Sequence, residues 1–138
     1  MLENYVEHFN AESAVKDLMQ KKSINRTAAM ALLRKEVPKE SYFQKKIKKA
    51  LKERYPDAYI IKISQSMFSE AGVPDVMCII GGHYFAFEIK RPILGKVSSL
   101  QDEAMKRIRI AGGTAAVVSW PEEAFKIIDN TRAWGRSI

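Results

Sequence analysis

Residues 72–91, GVPDVMCIIGGHYFAFEIKR, contain the pattern that decides the fold. Two apolar runs flank Gly81 and Gly82, and a glycine pair between strand-like runs predicts a hairpin with a two-residue turn. If these glycines form the turn, Ile80 faces His83 and every later pair follows from that one. The stretch therefore predicts two antiparallel strands in a fixed register.

This register brings three ionisable residues to one end of the hairpin. Asp75 lies opposite Glu88, with Cβ atoms roughly 4.5–5.5 Å apart. The alternation of side chains along a strand puts Lys90 on the same face as Glu88. Opposed carboxylates repel each other, and a hard divalent cation such as Mg²⁺ relieves that repulsion. A lysine beside such a cation can orient a water molecule and offset charge on a phosphate group.

A purely structural interpretation of these residues also exists. Asp75 then opens a strand after Pro74, while Glu88 and Lys90 form a surface ion pair. For any one residue this interpretation is the more economical, but the joint pattern favours a metal site.

Helix and strand patterns alternate along the rest of the chain. The predicted strands are residues 58–63, 75–80, 83–90 and 114–120, and the predicted helices are residues 38–54, 98–111 and 121–130. Residues 1–36 have apolar residues at helical spacing, with breaks at Asn10 and at residues 23–25, which predicts short helices. A helix-turn-helix is one interpretation of that region, and a helical appendage packed on the main body is the commoner one. The order predicts an α/β fold with a mixed sheet flanked by helices.

The composition is that of one globular domain of 138 residues. Cys78 is the single cysteine, which excludes a disulfide framework and a cysteine-rich zinc site. No apolar run approaches the length of a membrane span, and the amino terminus lacks a signal-peptide pattern. We therefore expect a cytoplasmic protein without a membrane partner.

The chain is basic, with a formal net charge of +7 and a pI of about 9.5. This balance favours polyanionic partners, because lysine and arginine release the counterions condensed on nucleic acids. Residues 39–54 carry seven basic and two acidic residues, which indicates either a phosphate-binding surface or the solvated face of a helix. The candidate DNA-binding residues are Lys45, Lys46, Lys48, Lys49, Lys52, Arg91 and Lys96.

The motifs on the hairpin resemble the signature of the PD-(D/E)xK nucleases. Residues 72–75, Gly-Val-Pro-Asp, and residues 88–92, Glu-Ile-Lys-Arg-Pro, carry this resemblance. More narrowly, the chain is similar to the virus-type replication-repair nuclease (VRR-NUC) family, because residues 96–101, Lys-Val-Ser-Ser-Leu-Gln, resemble that family's Ser-x-x-Gln element. The resemblance runs from about residue 39 to residue 128.

The family resemblance implies a fold and a division of the chain. The fold is a restriction-endonuclease-like core with a mixed central sheet of about four strands. Residues 1–37 would form an N-terminal helical extension, and residues 38–138 the nuclease domain.

Two further site residues come from the resemblance. The family has an acidic residue on the helix before the sheet, and Glu40 is the match. Its spacing to Phe43 and Ile47 puts Glu40 on the apolar side of its helix, where a charge needs a partner. Alternatively, Glu40 is a solvated first-turn acid that favours the helix dipole. Gln101 either points into the active site or closes a capping box with Ser98.

The implied activity is that of a metal-dependent endodeoxyribonuclease. Mg²⁺ or Mn²⁺ would be held by Glu40, Asp75 and Glu88 and by the backbone carbonyl of Ile89, and Lys90 and Gln101 would complete the catalytic set. The implied substrate is branched DNA formed in replication and repair, with a four-way (Holliday) junction resolved by a homodimer as the leading case, since two symmetric cuts need two sites. Other DNA substrates, or a catalytically decayed nucleic-acid-binding module, are the alternatives.

Overall fold

The computed structural model describes residues 11–64 and 71–135. The helices are α1 (Ala11–Lys22), α2 (Arg26–Glu36), α3 (Glu40–Arg54), α4 (Ser99–Ile110) and α5 (Pro121–Gly135). The strands are β1 (Tyr59–Lys62), β2 (Val76–Ile80), β3 (His83–Ile89) and β4 (Thr114–Val118). This order confirms the predicted α/β fold. Helix α5 runs five residues beyond its predicted end, and Thr131 donates its hydroxyl to the carbonyl of Ile127 within that extension.

The four strands form one mixed sheet in the order β1-β2-β3-β4. The first three strands are antiparallel, and β4 pairs in parallel with β3. Gly81 and Gly82 have positive φ angles of 56° and 82°, which a two-residue hairpin turn of the primed type requires. Ile80 pairs with His83, so the predicted register is confirmed.

Strand alternation gives the sheet two different faces. One face packs on α3 and α5, and its buried residues include Cys78 and Phe85, which are paired across β2 and β3, and Phe43 and Ile47 of α3. Burial raises the pKa of the Cys78 thiol to about 12, so this cysteine is a core residue without reactive thiolate.

The opposite face packs on α4. Ala86 of β3, Ala115 of β4 and Met105 of α4 form a second, smaller buried cluster. Glu88 is two residues beyond Ala86 on the same strand, so its side chain is on this face. The start of α4 therefore lies next to Glu88.

The N-terminal helices share the main core. Val15 and Leu18 of α1 and Leu33 of α2 are buried in the same cluster as the α3 face of the sheet. Asn25 is the N-cap residue of α2, and its side-chain oxygen accepts a hydrogen bond from the backbone N–H of Ala28. This agrees with the helix break predicted at residues 23–25. Residues 1–10, where a further short helix was predicted, lie outside the described residues. Within the described ranges, no helix is long and apolar enough to cross a membrane.

Candidate active site

Asp75 and Glu88 lie at the end of the β2–β3 hairpin that is remote from its glycine turn. Asp75 directly precedes Val76 and Glu88 directly follows Phe87, and Val76 and Phe87 are the last pair between the two strands. A cavity of about 280 Å³ opens there, between the strand ends and the first turns of α3 and α4. Its walls are Glu40, Gly72, Val73, Asp75, Glu88, Ser98, Leu100 and Gln101.

Asp75 is held by backbone groups on both sides. Its Oδ2 accepts the backbone N–H of Ile89 at 2.8 Å. Its own carbonyl oxygen accepts the N–H of Ile63 at 2.7 Å. The carboxylate therefore continues the hydrogen bonding of the hairpin, which holds it beside the strand that carries Glu88.

Glu88 is the one buried charged residue among the described residues, with 1% of its surface exposed. Its Oε1 accepts the side-chain N–H of Gln101 at 2.8 Å. Its Oε2 is buried and has no hydrogen-bond partner in the described part of the chain. Burial first, and then the Asp75 carboxylate, raise the pKa of Glu88 to about 8, although Lys90 opposes this shift. The Glu88 carboxyl therefore keeps its proton at neutral pH unless a cation beside it stabilises the charged form.

Lys90 stands between two acidic side chains. Its Nζ lies 3.5 Å from Oε1 of Glu88 and 3.7 Å from Oε1 of Glu40. The Lys90 side chain is 13% exposed and that of Glu40 is 39% exposed. Glu40 also accepts the side-chain amide of Gln44 at 3.4 Å. Glu40 is thus at the rim of the cavity with its carboxylate turned to Lys90.

Gln101 makes both of the contacts that the sequence left as alternatives. Its Oε1 accepts the backbone N–H of Ser98 at 3.0 Å, and its backbone N–H donates to the Ser98 hydroxyl at 3.1 Å. These two bonds are a complete capping box at the start of α4. Its amide nitrogen remains available and donates to Glu88. The cap aims the amide at the buried carboxylate.

One solved structure resembles this arrangement in fold and sequence. It is described as "VRR_NUC domain", and it matches with a TM-score of 0.52 and 25% sequence identity, over 62% of this chain and 94% of that chain. This match supports membership of the VRR-NUC family. It also supports a nuclease of the PD-(D/E)xK type, in agreement with the resemblance seen in residues 72–101. No model of a known protein family matches the sequence. A search of curated proteins also finds no match.

Most of the predicted basic surface lies on the exposed side of α3. Lys45, Lys48, Lys49 and Lys52 line a shallow open groove of about 420 Å³ together with Glu53. Lys46 differs, because its Nζ lies over the rings of Tyr42 and Trp120, at 5.9 and 5.5 Å from their centroids. Lys96 is exposed in the loop before α4.

Arg91 does not lie on that surface. Its guanidinium is directed inward and donates to the backbone carbonyls of Pro38 at 2.9 Å, Val37 at 2.6 Å and Arg34 at 3.2 Å. The Nε and Nη2 donors are used in these bonds, so the predicted phosphate contact of Arg91 would have to be made by Nη1. Sequence reasoning missed this role, because the acceptors are backbone groups more than 50 positions away.

Gly72 is a second residue whose role the sequence did not disclose. Its φ is +82°, and a Cβ at this position would lie 2.3 Å from the carbonyl oxygen of Leu100 and 2.8 Å from the backbone nitrogen of Gln101. Glycine therefore lets the loop before Asp75 pack directly on the first turn of α4. Gly72 belongs to the Gly-Val-Pro-Asp motif, but its packing partner, the first turn of α4, is known only from the tertiary structure.

The donor set fits a hard divalent cation. Carboxylate oxygens are the ligands that Mg²⁺ prefers, and the unpartnered Oε2 of Glu88 is a buried acceptor beside a second carboxylate. Within the described residues, no three acidic, histidine or cysteine side chains already form a metal-binding cluster. Asp75 and Glu88 are thus the central pair, and Glu40 is on the far side of Lys90.

Proposed function

We propose that this protein is a divalent-metal-dependent endonuclease that cleaves phosphodiester bonds in branched DNA, with the four-way (Holliday) junction as its substrate. The observation that carries the proposal is the buried Oε2 of Glu88. It is an unpartnered acceptor beside Asp75, and Lys90 is within 3.5 Å of the same carboxylate. An orphaned buried carboxylate oxygen costs stability. A cation and a phosphate substrate would supply the missing partners.

The ligands that we propose for Mg²⁺ or Mn²⁺ are Asp75, Glu88, Glu40 and the carbonyl of Ile89. The bound ion would polarise the scissile phosphate and lower the pKa of a bound water. The side chains of the protein would orient the water, offset charge and hold the metal ligands in place. The Lys90 ammonium would orient the attacking water and offset charge on the transition state. Gln101 would hold the Glu88 carboxylate in one rotamer, as outer-shell amides do for metal ligands.

The exposed lysines of α3 and Lys96 would contact the DNA backbone. Such contacts are independent of sequence and weaken as salt rises. This suits a nuclease that recognises the shape of a branched substrate. The surface serves binding, while the carboxylates at the hairpin end serve hydrolysis.

A homodimer is part of this proposal. Resolution of a four-way junction needs two cuts related by symmetry, and a two-fold pair of identical chains supplies two identical sites. The family resemblance supports this assembly. We also propose that residues 38–138 are the nuclease domain and residues 1–37 its helical extension, in a bacterial or phage-infected cell.

The test is a cleavage assay on four-way, flap, duplex and single-stranded DNA with Mg²⁺, Mn²⁺ or EDTA. The wild type should cut the four-way junction symmetrically, and only with metal. Asp75→Asn and Lys90→Ala should each lose activity by on the order of 100-fold or more. Exposed residues of the same types supply matched controls, Asp57→Asn and Lys126→Ala, which should retain activity.

Each other outcome has a defined meaning. Cleavage that persists in EDTA, or that survives both substitutions, would overturn the proposed site. Equal cleavage of duplex and junction would support a nuclease of this fold with another DNA substrate. Binding without cleavage would support the decayed module. Light scattering of the complex with DNA measures the mass of protein bound per junction. A protein mass near 15.7 kDa, which is one chain, would exclude the dimer.

A further inference from the structure

Three consecutive residues after the centre of β3 each hold a different part of the site. The backbone N–H of Ile89 donates to Asp75. The side chain of Lys90 lies between Glu88 and Glu40. The guanidinium of Arg91 binds backbone carbonyls before α3. The first two contacts concern the catalytic residues directly, while the third acts on the segment that leads to Glu40.

Arg91 joins the end of α2 to the beginning of α3. It donates to three backbone carbonyls. These belong to Arg34 in the last turn of α2, to the C-cap residue Val37 and to Pro38. The carbonyls at a helix C-terminus lack intrahelical partners and carry partial negative charge, so a half-buried guanidinium satisfies them well. Arginine suits the position, because its planar fork of donors reaches several acceptors at once.

The beginning of α3 has no side-chain cap in the described structure. Its N-cap residue is Lys39. The first residue of the helix is Glu40, two positions after Pro38. The location of the Glu40 carboxylate therefore depends on where the backbone of Val37 and Pro38 is fixed, and Arg91 is the side chain that binds both carbonyls.

We propose that Arg91 is a positioning residue that fixes Glu40 opposite Lys90, and that the end of α2 braces the active site through it. The inference rests on the proposed function, because it assigns Glu40 a part in catalysis. Arg91 contacts neither substrate nor metal in this scheme. Its effect passes through the start of α3, so that residues 34–38 support the catalytic structure.

The kinetic test is a double-mutant cycle between Arg91 and Glu40. Arg91→Lys keeps the charge, but a single ammonium cannot reproduce the three-carbonyl contact. It should lower kcat by about 10–100-fold, the usual effect of an outer-shell residue, with KM for DNA unchanged. In a Glu40→Gln background it should have little additional effect, because the residue through which it acts is already lost.

Arg109→Lys is the matched control. Arg109 also donates through Nε and Nη2 to a backbone carbonyl, that of Ala115, but it lies in the last turn of α4. This variant should leave kcat unchanged. Equal losses in both variants would indicate general destabilisation and would overturn the proposal. So would a raised KM with a shallower salt dependence for Arg91→Lys, which is the signature of a lost phosphate contact.

A second measurement is independent of cleavage. The backbone N–H of Tyr42 donates to the Lys39 carbonyl at 3.0 Å in the first turn of α3. Arg91→Lys should accelerate hydrogen exchange at Tyr42 and Phe43, while Arg109→Lys should not. Unchanged exchange would overturn the proposal even if the protein cleaves DNA. Faster exchange in a protein that cleaves no DNA would establish the brace and refute the proposed function instead.

Discussion

Gln101 donates its side-chain amide to Oε1 of Glu88 at 2.8 Å while its own Oε1 accepts the backbone N–H of Ser98 at 3.0 Å. One side chain thus caps α4 and fixes a buried carboxylate. The cap determines which end of the amide faces the site, since its oxygen is already used. The helix start and the site geometry are therefore coupled at a single residue.

The two functions of Gln101 can be separated by substitution. Ser98→Ala removes the hydroxyl acceptor of the cap and should cost about 1 kcal/mol of stability while activity is retained. Gln101→Glu keeps an acceptor for the Ser98 N–H but places a carboxylate against Glu88, so activity should fall about 10–100-fold. Urea unfolding and cleavage kinetics on both variants check this. Equal activity losses in the two would contradict it.

Glu88→Gln should stabilise the metal-free protein increasingly as pH rises. The folded state keeps the Glu88 proton up to a pKa of about 8, whereas the unfolded state loses it near 4.5. The folded protein therefore binds more protons between these values, and its free energy of unfolding falls as pH rises through the window. Glutamine does not titrate, so the variant lacks this fall.

Thermal unfolding in EDTA from pH 5 to pH 9 measures the effect. The difference in Tm between Glu88→Gln and wild type should grow up to about pH 8 and then level off. The exposed Glu53→Gln is the control and should show a flat difference. A difference that does not depend on pH would refute the assignment. Mg²⁺ at pH 8 should raise the Tm of the wild type more than that of the variant.

Gly72→Ala should destabilise the protein more than Gly82→Ala. Both glycines have a φ of +82°, so alanine pays a similar cost of roughly 1–2 kcal/mol for the left-handed backbone at each. At Gly82 a Cβ would meet nothing within 4 Å, whereas at Gly72 it would meet the Leu100 carbonyl at 2.3 Å. Overpacking adds about 1–3 kcal/mol at Gly72. Urea unfolding of the pair measures the difference, and equal losses would refute the close contact.

Replacing Lys45, Lys48, Lys49 and Lys52 with glutamine should weaken DNA binding and its salt dependence together. Each lost phosphate contact reduces the slope of log K against log salt by roughly 0.9 for duplex DNA. Fluorescence anisotropy at several salt concentrations measures the slope, with Lys126→Gln on α5 as control. A slope equal to that of the wild type would mean that this groove is only a solvated helix face.

The sequence by itself determined the hairpin and the two residues at its end. Gly81 and Gly82 allow the tight turn, the turn sets the register, and the side-chain period of two then places Asp75 and Glu88 together. These relations depend on residues that are close in the chain and on backbone geometry that repeats. The helices could be predicted for the same reason, since their apolar spacing is local.

Only the tertiary structure decided the contacts between distant segments. It showed that Arg91, which the sequence predicted to contact DNA, donates to the backbone carbonyls of Val37 and Pro38. It also brought Glu40 to 3.7 Å from Lys90 and let Gln101 serve two roles at once. Such contacts depend on where whole helices pack against the sheet, and that packing is set by the summed burial of many side chains. No local pattern around Arg91 contains this information. The spacing on α3 gives the side of the helix that carries Glu40, but not its partner Lys90.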